Sequence, residues 1–318
     1  MANIPFINPG DIDQELNWLD MVDALDQGHR KPQADIGDLL LKQGENAMLN
    51  RAAWIPGLGL ALKTVTIFPT NADQTPPLPS IHGAVILYDS DTGTISAFLD
   101  GVLITKWKTA SDSMLGARYL ARPDSKNVLI IGSGTLARSL IEAYSAVFPE
   151  LERITIWSRN PDNAQSLADD MADQGYATSA TTDLENAAAQ AHMISTATMS
   201  LVPVLKGEWI SPGTHIDLIG AFRPDMREAD DVVMQKGTIF VDSRKTTIHD
   251  IGELMIPIAN GVISEGDIKA DFYDLCNGAE GRTSVDEITV FKNGGGAHLD
   301  LMTANLIWAK YAAINRSD

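Results

Sequence analysis

A glycine-rich turn between two apolar segments carries the residue types and spacing most suited to chemistry. Residues 127–137 read NVLIIGSGTLA, so that four apolar residues lead into Gly132-Ser133-Gly134, and an amphipathic segment follows at 135–148. This order predicts a buried parallel strand that turns into a helix. Gly132 would permit the tight turn, and Gly134 would let a dinucleotide pyrophosphate approach the N–H groups at the helix start.

The predicted pyrophosphate loop comprises Gly132, Ser133, Gly134, Thr135, Leu136 and Ala137. Ala137 takes the place of the third glycine of the G-x-G-x-x-G pattern, and the pattern alone is a weak signal. A strand-like segment at 153–158, RITIWS, follows at the distance that a βαβ unit requires, which strengthens the interpretation. The alternative is a glycine turn in a doubly wound domain that binds no cofactor.

The end of this second strand indicates which nicotinamide cofactor fits. NAD sites place an acidic residue there for the ribose 2′-OH, whereas an arginine accommodates a 2′-phosphate. Here Ser158 and Arg159 follow the strand, and the first carboxylate is Asp162. The sequence therefore favours NADP(H), with NAD(H) possible, and assigns Ser158 and Arg159 to the cofactor site. Alternatively, Arg159 is a solvated arginine before a helix that Asn160 caps.

The amino-acid composition excludes several classes of protein. A chain of 318 residues with 44% hydrophobic residues has room for two domains. Its 24 basic and 42 acidic residues argue against nucleic acid or an anionic membrane as partner. A lone cysteine, Cys276, allows no intrachain disulfide, residues 1–10 lack secretory features, and no apolar run could span a bilayer, so a cytoplasmic location is expected. The segment 89–93 favours a β-turn over a calcium loop, and no metal site is expected.

Periodicity predicts an α/β fold. A helix is expected over 11–27 and another over 111–120, and the Asp100-Gly101 pair suggests a hairpin turn. Strands are expected near 38–41, 47–51, 61–68, 83–88, 94–99 and 102–105. Downstream, strands and helices alternate up to a loop-rich stretch at 256–287, and a final helix over 297–315 is expected to return to the first domain. The predicted architecture is a Rossmann-type doubly wound domain at 121–296 and a discontinuous α+β domain at 1–120 and 297–318.

Several separated segments together resemble the ornithine cyclodeaminase/mu-crystallin family. They are LKTVTIFP (62–69), LDGVLITKWKTAS (99–111), ARYLAR with VLIIGSGTLA, ISTATMS (194–200), GTHIDLIGAFRPDMRE (213–228), FVDSR (240–244) and EITVFKNGGGA (287–297). The resemblance implies a Rossmann domain, a dimerisation domain built from both chain ends, and a homodimer. Family activities include ornithine cyclisation with loss of ammonia, reduction of cyclic ketimines and alanine dehydrogenation, and mu-crystallin adds a ligand-binding role.

The resemblance also implies where a substrate would bind. Lys63 occupies the place of the family lysine that contacts the substrate carboxylate; the alternative is a strand lysine that reaches solvent. Lys108 stands where most members have arginine, and because lysine offers only a point charge, its role there could differ from that of arginine. A family arginine near residue 32 is absent, and Arg51 is the candidate replacement, with a surface arginine at a strand end as the alternative. Gly295, in the glycine run, is also assigned to the substrate site.

Phe222 is the most informative departure from the family pattern. Cyclodeaminase-like members carry an aspartate at this strand end, whereas Gly220-Ala221-Phe222-Arg223 has a phenyl ring there. Amine oxidation with ammonia loss needs a general base and then an acid, which phenylalanine cannot supply. Reduction of an already protonated cyclic imine needs an aimed hydride and a cation that holds the carboxylate. The substitution therefore favours a reductase.

The remaining cofactor contacts are assigned by resemblance. Residues at strand ends and in two neighbouring segments would touch the nucleotide: His82, Lys108, Thr109, Thr196, Ala197, Thr198, Ile219, Gly220 and Asn293. For His82, a structural histidine is the alternative, and Asp217 receives no mechanistic role. The leading hypothesis is an NADPH-preferring reductase of a small cyclic imino acid, with Lys63 and Lys108 or Arg51 anchoring the carboxylate. The alternatives are an amino-acid cyclodeaminase with bound NAD and a ligand-binding protein with little turnover.

Overall fold

The computed structural model describes residues 4–315. The first three and last three residues, which the predicted domain bounds 1–120 and 297–318 include, lie outside this range. Within it the chain forms two compact units. The first unit contains 4–108 and 296–315, and the second contains Thr109–Gly295. The division therefore lies inside a helix, twelve residues before the expected boundary at 120.

The first unit is built on a six-stranded sheet in the order β1-β6-β5-β4-β3-β2. Its strands are β1 (Phe6–Ile7), β2 (Asp35–Gln43), β3 (Asn46–Ile55), β4 (Gly59–Ile67), β5 (Ile81–Tyr88) and β6 (Ile95–Asp100). Strands β2 to β6 pair antiparallel, and β1 pairs parallel with β6. The predicted mainly antiparallel sheet is confirmed, and β2, β3, β4 and β5 are longer than the patterns indicated.

Three sequence predictions in this unit are wrong: the single helix over 11–27, the strand at 102–105 and the hairpin turn at Asp100-Gly101. The helix expected over 11–27 is divided into α1 (Pro9–Ile12) and α2 (Trp18–His29), because the Asn17 side chain accepts a hydrogen bond from the Asp20 N–H and starts a new helix. The segment 102–105 is helical and belongs to α3 (Gly101–Leu120).

The cause of the second error is the residue before α3. Asp100 Oδ1 accepts hydrogen bonds from the N–H groups of Val102 and Leu103, at 2.8 and 2.9 Å. The Asp-Gly pair is therefore a helix start and not a hairpin turn. A Cβ on Gly101 would lie 2.6 Å from the Gly83 carbonyl oxygen, so only glycine fits where the helix begins.

The second unit contains an eight-stranded parallel sheet in the order β13-β12-β14-β11-β10-β7-β8-β9. Its strands are β7 (Asn127–Ile131), β8 (Arg153–Trp157), β9 (Thr178–Ala180), β10 (Met193–Thr196), β11 (His215–Leu218), β12 (Thr238–Val241), β13 (Ile268–Ala270) and β14 (Thr289–Lys292). The strand order changes direction between β7 and β10, as in doubly wound sheets. The predicted Rossmann-type fold is confirmed.

Helices connect these strands. They are α4 (Thr135–Val147), α5 (Pro161–Asp173), α6 (Leu184–Gln190), α7 (Asp231–Lys236), α8 (Arg244–Thr247), α9 (Gly252–Ala259) and α10 (Phe272–Leu275). The stretch expected to be loop-rich, 256–287, contains the edge strand β13 and the short helix α10. The final helix, α11 (Ala297–Asn315), packs on α2, β3, β4 and β5, so its predicted return to the first unit is confirmed.

Candidate functional site

The carboxyl end of β7 lies at the point where the strand order changes direction. There the Ala197 N–H donates to the Ile131 carbonyl at 2.8 Å, and the Gly132 N–H donates to the Trp157 carbonyl at 2.8 Å. Gly132 has φ +134°, and a Cβ on it would lie 2.5 Å from the Ala197 carbonyl oxygen. Only glycine can therefore turn the chain here, at the edge where open α/β sheets bind ligands.

The N-terminus of α4 is shaped to receive an anion. Gly134 is its N-cap and offers no capping side chain, so the first N–H groups, including those of Thr135 and Leu136, have no side-chain cap. A Cβ on Gly134 would meet nothing within 4 Å, which leaves open space in front of the helix. Ala137 is fully buried where the helix packs on the sheet. This uncapped end, with its positive dipole, fits a pyrophosphate.

Two side chains extend this loop toward the end of β8. The Ser133 hydroxyl donates to the Ser158 hydroxyl at 3.0 Å, which joins the glycine loop to the next strand end. Arg159 is exposed, and among residues 4–315 it has no hydrogen-bond or ion-pair partner. A guanidinium left unused at this strand end fits a ribose 2′-phosphate.

A buried carboxylate that the sequence analysis missed shapes the adjoining loops. Glu228 is fully buried, and its carboxylate accepts hydrogen bonds from Thr196 Oγ1 (2.8 Å), the N–H and hydroxyl of Thr198 (both 2.8 Å) and the Gly220 N–H (2.6 Å). It thus fixes the predicted cofactor-binding segments at 196–198 and 219–220. Glu228 closes the motif at 213–228, but nothing in the sequence revealed its partners.

Glu228 belongs to a larger set of buried charges. Glu253 accepts from the N–H groups of Glu228 and Ala229, and burial, helped by repulsion from Glu228, raises the pKa of Glu253 to about 7. Lys292 is also fully buried and donates to the carbonyl oxygens of Leu218 and Asn293, at 2.8 and 2.7 Å. Burial lowers the pKa of Lys292, although Glu228, Glu253 and other carboxylates oppose that shift. Lys292 therefore lies among several buried carboxylates, next to the strand end at Leu218.

The other predicted residues of the second unit have structural partners. Asn293 Nδ2 donates to the Thr109 carbonyl (3.2 Å) and to Ser113 Oγ (3.0 Å). The Gly295 N–H donates to Asp242 Oδ2 at 2.6 Å. Phe222 is 56% exposed, and the Arg223 guanidinium lies 5.9 Å from its ring centroid. An exposed ring at this strand end is available to contact a ligand.

In the first unit, the predicted substrate cations share one face of the sheet. Arg51 on β3 lies opposite Lys63 on β4, so their side chains project to the same side. Lys63 is only 8% exposed, and its Nζ donates to Asp300 Oδ1 on α11 at 3.0 Å. Arg51 Nε donates to Asp38 Oδ2 at 2.9 Å. The alternative of a solvated strand lysine at 63 is therefore wrong, and Asp300 is a partner that the sequence analysis missed.

The electrostatics of Asp300 reflect this cationic surrounding. Burial alone would raise its pKa, but Lys63, Lys108 and Arg51 outweigh burial, and the pKa of Asp300 is lowered. Lys108, on α3, is 8% exposed. Asp300 therefore stays ionised and serves as the ion-pair partner of Lys63. His82, by contrast, lies exposed on β5, and its assignment to the cofactor stays a prediction.

Residues 4–315 contain neither a membrane-spanning helix nor a metal-binding cluster. No helix there combines the length and apolar character needed to cross a bilayer. No group of three or more histidine, cysteine, aspartate or glutamate side chains is arranged to hold a metal ion.

The buried carboxyl group of Asp217 makes the free energy of unfolding depend on pH. It is fully buried and accepts hydrogen bonds from Ser195 (2.7 Å) and Ser113 (3.1 Å), and burial raises its pKa from 3.8 to about 7 despite those bonds. A raised carboxyl pKa means that the folded state binds the proton more tightly, so stability falls as pH rises from about 4 to about 7. Asp217→Asn, which keeps an acceptor and adds a donor, should remove this loss and add at least about 1 kcal/mol to the free energy of unfolding above pH 7.

Urea unfolding of both proteins from pH 4 to 8 measures the difference. The exposed Asp73→Asn is the control and should show no such pH-dependent gain. A difference between Asp217→Asn and the wild type that stays constant over this range would contradict the prediction.

Comparison with known proteins identifies the relatives of the chain. The Δ1-pyrroline-2-carboxylate reductase of Paracoccus denitrificans (strain Pd 1222) is 51% identical over 303 residues, which cover 95% of each chain. The structure of the Thermococcus litoralis Δ1-pyrroline-2-carboxylate reductase in complex with NADH and L-proline is 29% identical, with a TM-score of 0.90 over 98% of both chains. An archaeal alanine dehydrogenase dimer with bound NAD is 26% identical, with a TM-score of 0.89 over 98% of this chain and 97% of that one.

The sequence pattern of one family matches residues 57–315. This range includes most of both units, and the expected resemblance is confirmed. The chain therefore belongs to the ornithine cyclodeaminase/mu-crystallin family.

Proposed function

We propose that the protein is an NADPH-preferring reductase of a small cyclic imino acid, of the Δ1-pyrroline-2-carboxylate or Δ1-piperideine-2-carboxylate type. The observation that carries the proposal is Phe222, an exposed aromatic side chain where cyclodeaminase-like members have an aspartate. The reductase named among the relatives, 51% identical over nearly the whole chain, supports the same activity.

The second unit has the features that a dinucleotide needs. Residues 132–137 would hold the pyrophosphate, because a glycine-only turn leads into an uncapped helix start. Thr196, Ala197, Thr198, Ile219 and Gly220 would border the nucleotide, and Glu228 fixes these segments through the hydrogen bonds described above. When bound, the reduced nicotinamide supplies the hydride that converts the C=N bond to CH–NH.

The first unit supplies the charge that such a substrate needs. Lys63, with Lys108 and Arg51, would bind the carboxylate next to the C=N bond. Phe222 cannot donate or accept a proton, and none is required if the imine nitrogen arrives protonated. The role of the protein is then to hold the carboxylate and to exclude water from the reacting carbon.

Reduction of the imine tests the proposal directly. With NADPH, the wild-type protein should reduce Δ1-pyrroline-2-carboxylate or its six-membered analogue, measured as loss of nicotinamide absorbance. Lys63→Ala should lower kcat/KM for the imine by about 10- to 100-fold, because one charge-assisted contact is lost. Its Kd for NADPH, measured by fluorescence, should change less than about twofold, as should all parameters of the surface control Lys206→Ala.

Two other outcomes would replace the proposal. Ammonia release from ornithine without added reductant would identify a cyclodeaminase. NADPH binding without oxidation across a series of cyclic imines would identify a ligand-binding protein. Equal loss of imine turnover and NADPH binding in Lys63→Ala would make Lys63 a structural residue.

The preference for NADPH rests on Arg159. NADH and NAD are bound in the two related structures, so the family fold accepts the form that lacks the 2′-phosphate. Arg159→Ala should raise KM for NADPH by about tenfold and leave KM for NADH within about twofold. Arg153→Ala, at the opposite end of β8, is the matched control. A wild-type enzyme that uses NADH better, or an equal loss for both cofactors, would refute the assignment.

A homodimer is proposed from the edge of the first sheet. Strand β2 is an edge strand, and Leu39, Leu40 and Leu41 are 55%, 49% and 53% exposed. An exposed apolar edge of this length is a pairing surface, and one related structure is a dimer. Light scattering should give twice the 34.3 kDa chain mass. The double variant Leu39→Lys/Leu41→Lys should be monomeric, whereas the control Leu78→Lys should remain a dimer. An unchanged mass in the double variant would exclude the β2 edge as the dimer interface.

The proposed cofactor also bears on location. NADPH is supplied inside cells as a reductant, and we propose a cytoplasmic enzyme on that basis.

A further inference from the structure

The Lys63 ammonium group has two hydrogen-bond acceptors in the first unit. Its Nζ donates to Asp300 Oδ1 at 3.0 Å and to Thr105 Oγ1 at 3.1 Å. An ammonium group carries three N–H donors. Among residues 4–315 these are its two hydrogen-bond partners, so one N–H remains for a ligand.

Thr105 is itself oriented by the backbone. Its hydroxyl donates to the Gly101 carbonyl at 2.7 Å, which fixes the hydroxyl hydrogen and leaves the oxygen lone pairs for Lys63. Thr105 is exposed, whereas Asp300 is 1% exposed. The ammonium group therefore extends from a buried carboxylate to a hydroxyl at the surface, where a small anion could reach it.

Asp300 has an arrangement that folding alone does not explain. Its Oδ2 atom is buried and has no hydrogen-bond partner among the described residues. A half-satisfied buried carboxylate is costly for stability, and such cost is often retained where a group serves a site. The other charged groups near Lys63 are Arg51 on β3, paired with Asp38 on β2, and Lys108 on α3.

The uncharged side of the site is β5, where Val85 lies opposite Lys63. Asp300 is thus the buried anion that lies among Lys63, Lys108 and Arg51 and pairs directly with Lys63. Without it, the cations would repel one another, and the lysine side chain would lose its fixed direction.

We propose that Asp300 and Thr105 are positioning residues, which hold two N–H groups of Lys63 and thereby direct the third at the carboxylate of the cyclic imino acid. The inference rests on the proposed function for the identity of the anion. The two hydrogen bonds that hold the Lys63 ammonium group can be tested without measuring turnover. Neither residue was singled out by the sequence, because Thr105 lies in a segment that resembled a strand and Asp300 lies 237 residues from Lys63.

The pair Thr105→Val and Thr105→Ser provides the matched test. Both changes lie at an exposed helix position, so little effect on folding is expected. Thr105→Val removes the acceptor and should raise KM for the imino acid about five- to tenfold, with kcat changed less than about threefold and KM for NADPH unchanged. Thr105→Ser keeps the hydroxyl and should match the wild type.

A second readout does not depend on catalysis. An amine-reactive anhydride at fixed pH, followed by mass spectrometry of the Lys63 peptide, reports how firmly the ammonium group is held. Asp300→Asn should raise the labelling rate of Lys63 at least about fivefold over the wild type, because the ion pair is lost, while Lys206 in the same sample keeps its rate. Thermal unfolding shows whether Asp300→Asn folds. If it does not, Lys63 labelling is measured in Thr105→Val instead.

The outcomes separate the two proposals. If the wild type reduces no imine but Lys63 labelling rises in Asp300→Asn or Thr105→Val, the proposed function fails and the positioning holds. If imine turnover is present but Thr105→Val matches Thr105→Ser in KM and in Lys63 labelling, the positioning is wrong and the function stands.

Discussion

The buried ion pair between Lys63 and Asp300 is the interaction on which the proposed substrate-binding chemistry of the first unit depends. It places a positive charge inside a sheet face that would otherwise exclude it, since Lys63 is only 8% exposed. A buried ammonium group without a partner would cost several kcal/mol or lose its proton. The nearby cations Lys63, Lys108 and Arg51 lower the pKa of Asp300 despite its burial, so Lys63 keeps an anionic partner.

The second unit also buries charged side chains, and more of them than the first unit does at Lys63 and Asp300. Glu228, Glu253, Asp242 and Lys292 are all buried, and each is held by backbone groups or hydroxyls. Buried charges of this kind contribute little net stability, but they fix the backbone that contacts them. Here the fixed backbone includes the segments after β10, β11, β12 and β14, at the strand ends where the proposed cofactor would lie. The unfavourable desolvation free energy of these side chains therefore falls on segments whose geometry would orient the cofactor for hydride transfer.

Local patterns in the sequence were sufficient for the strand, turn and helix around the glycine loop of the second unit. The segment 127–137 combines a buried strand, a glycine turn and a helix start within eleven residues, so each signal supports the next. The segment 102–105 shows the opposite case: its β-branched residues resemble a strand, but the Asp100 cap and the burial of Leu103 and Ile104 make it a helix. Tertiary packing overrode local propensity there.

The positions of the site partners could not be inferred from spacing. The Lys63–Asp300 pair joins residues 237 apart, and Glu228 binds groups near 196 and 220 that no periodicity connects to it. Strand β13, of three residues, is too short for an alternating pattern to be distinguished from a loop. Long-range pairing and very short elements are therefore the parts of the site that only the folded structure reveals.

In the proposed reaction, hydride passes from nicotinamide to the carbon of a protonated cyclic imine, and position 222 supplies neither acid nor base. The most direct measurement uses NADPH deuterated at nicotinamide C4, as each of its two stereoisomers, with Δ1-pyrroline-2-carboxylate in ordinary water. One stereoisomer should deliver deuterium to C2 of the proline product, as seen by NMR or mass spectrometry. Proline with only solvent hydrogen at C2 from both stereoisomers would exclude direct hydride transfer from the cofactor.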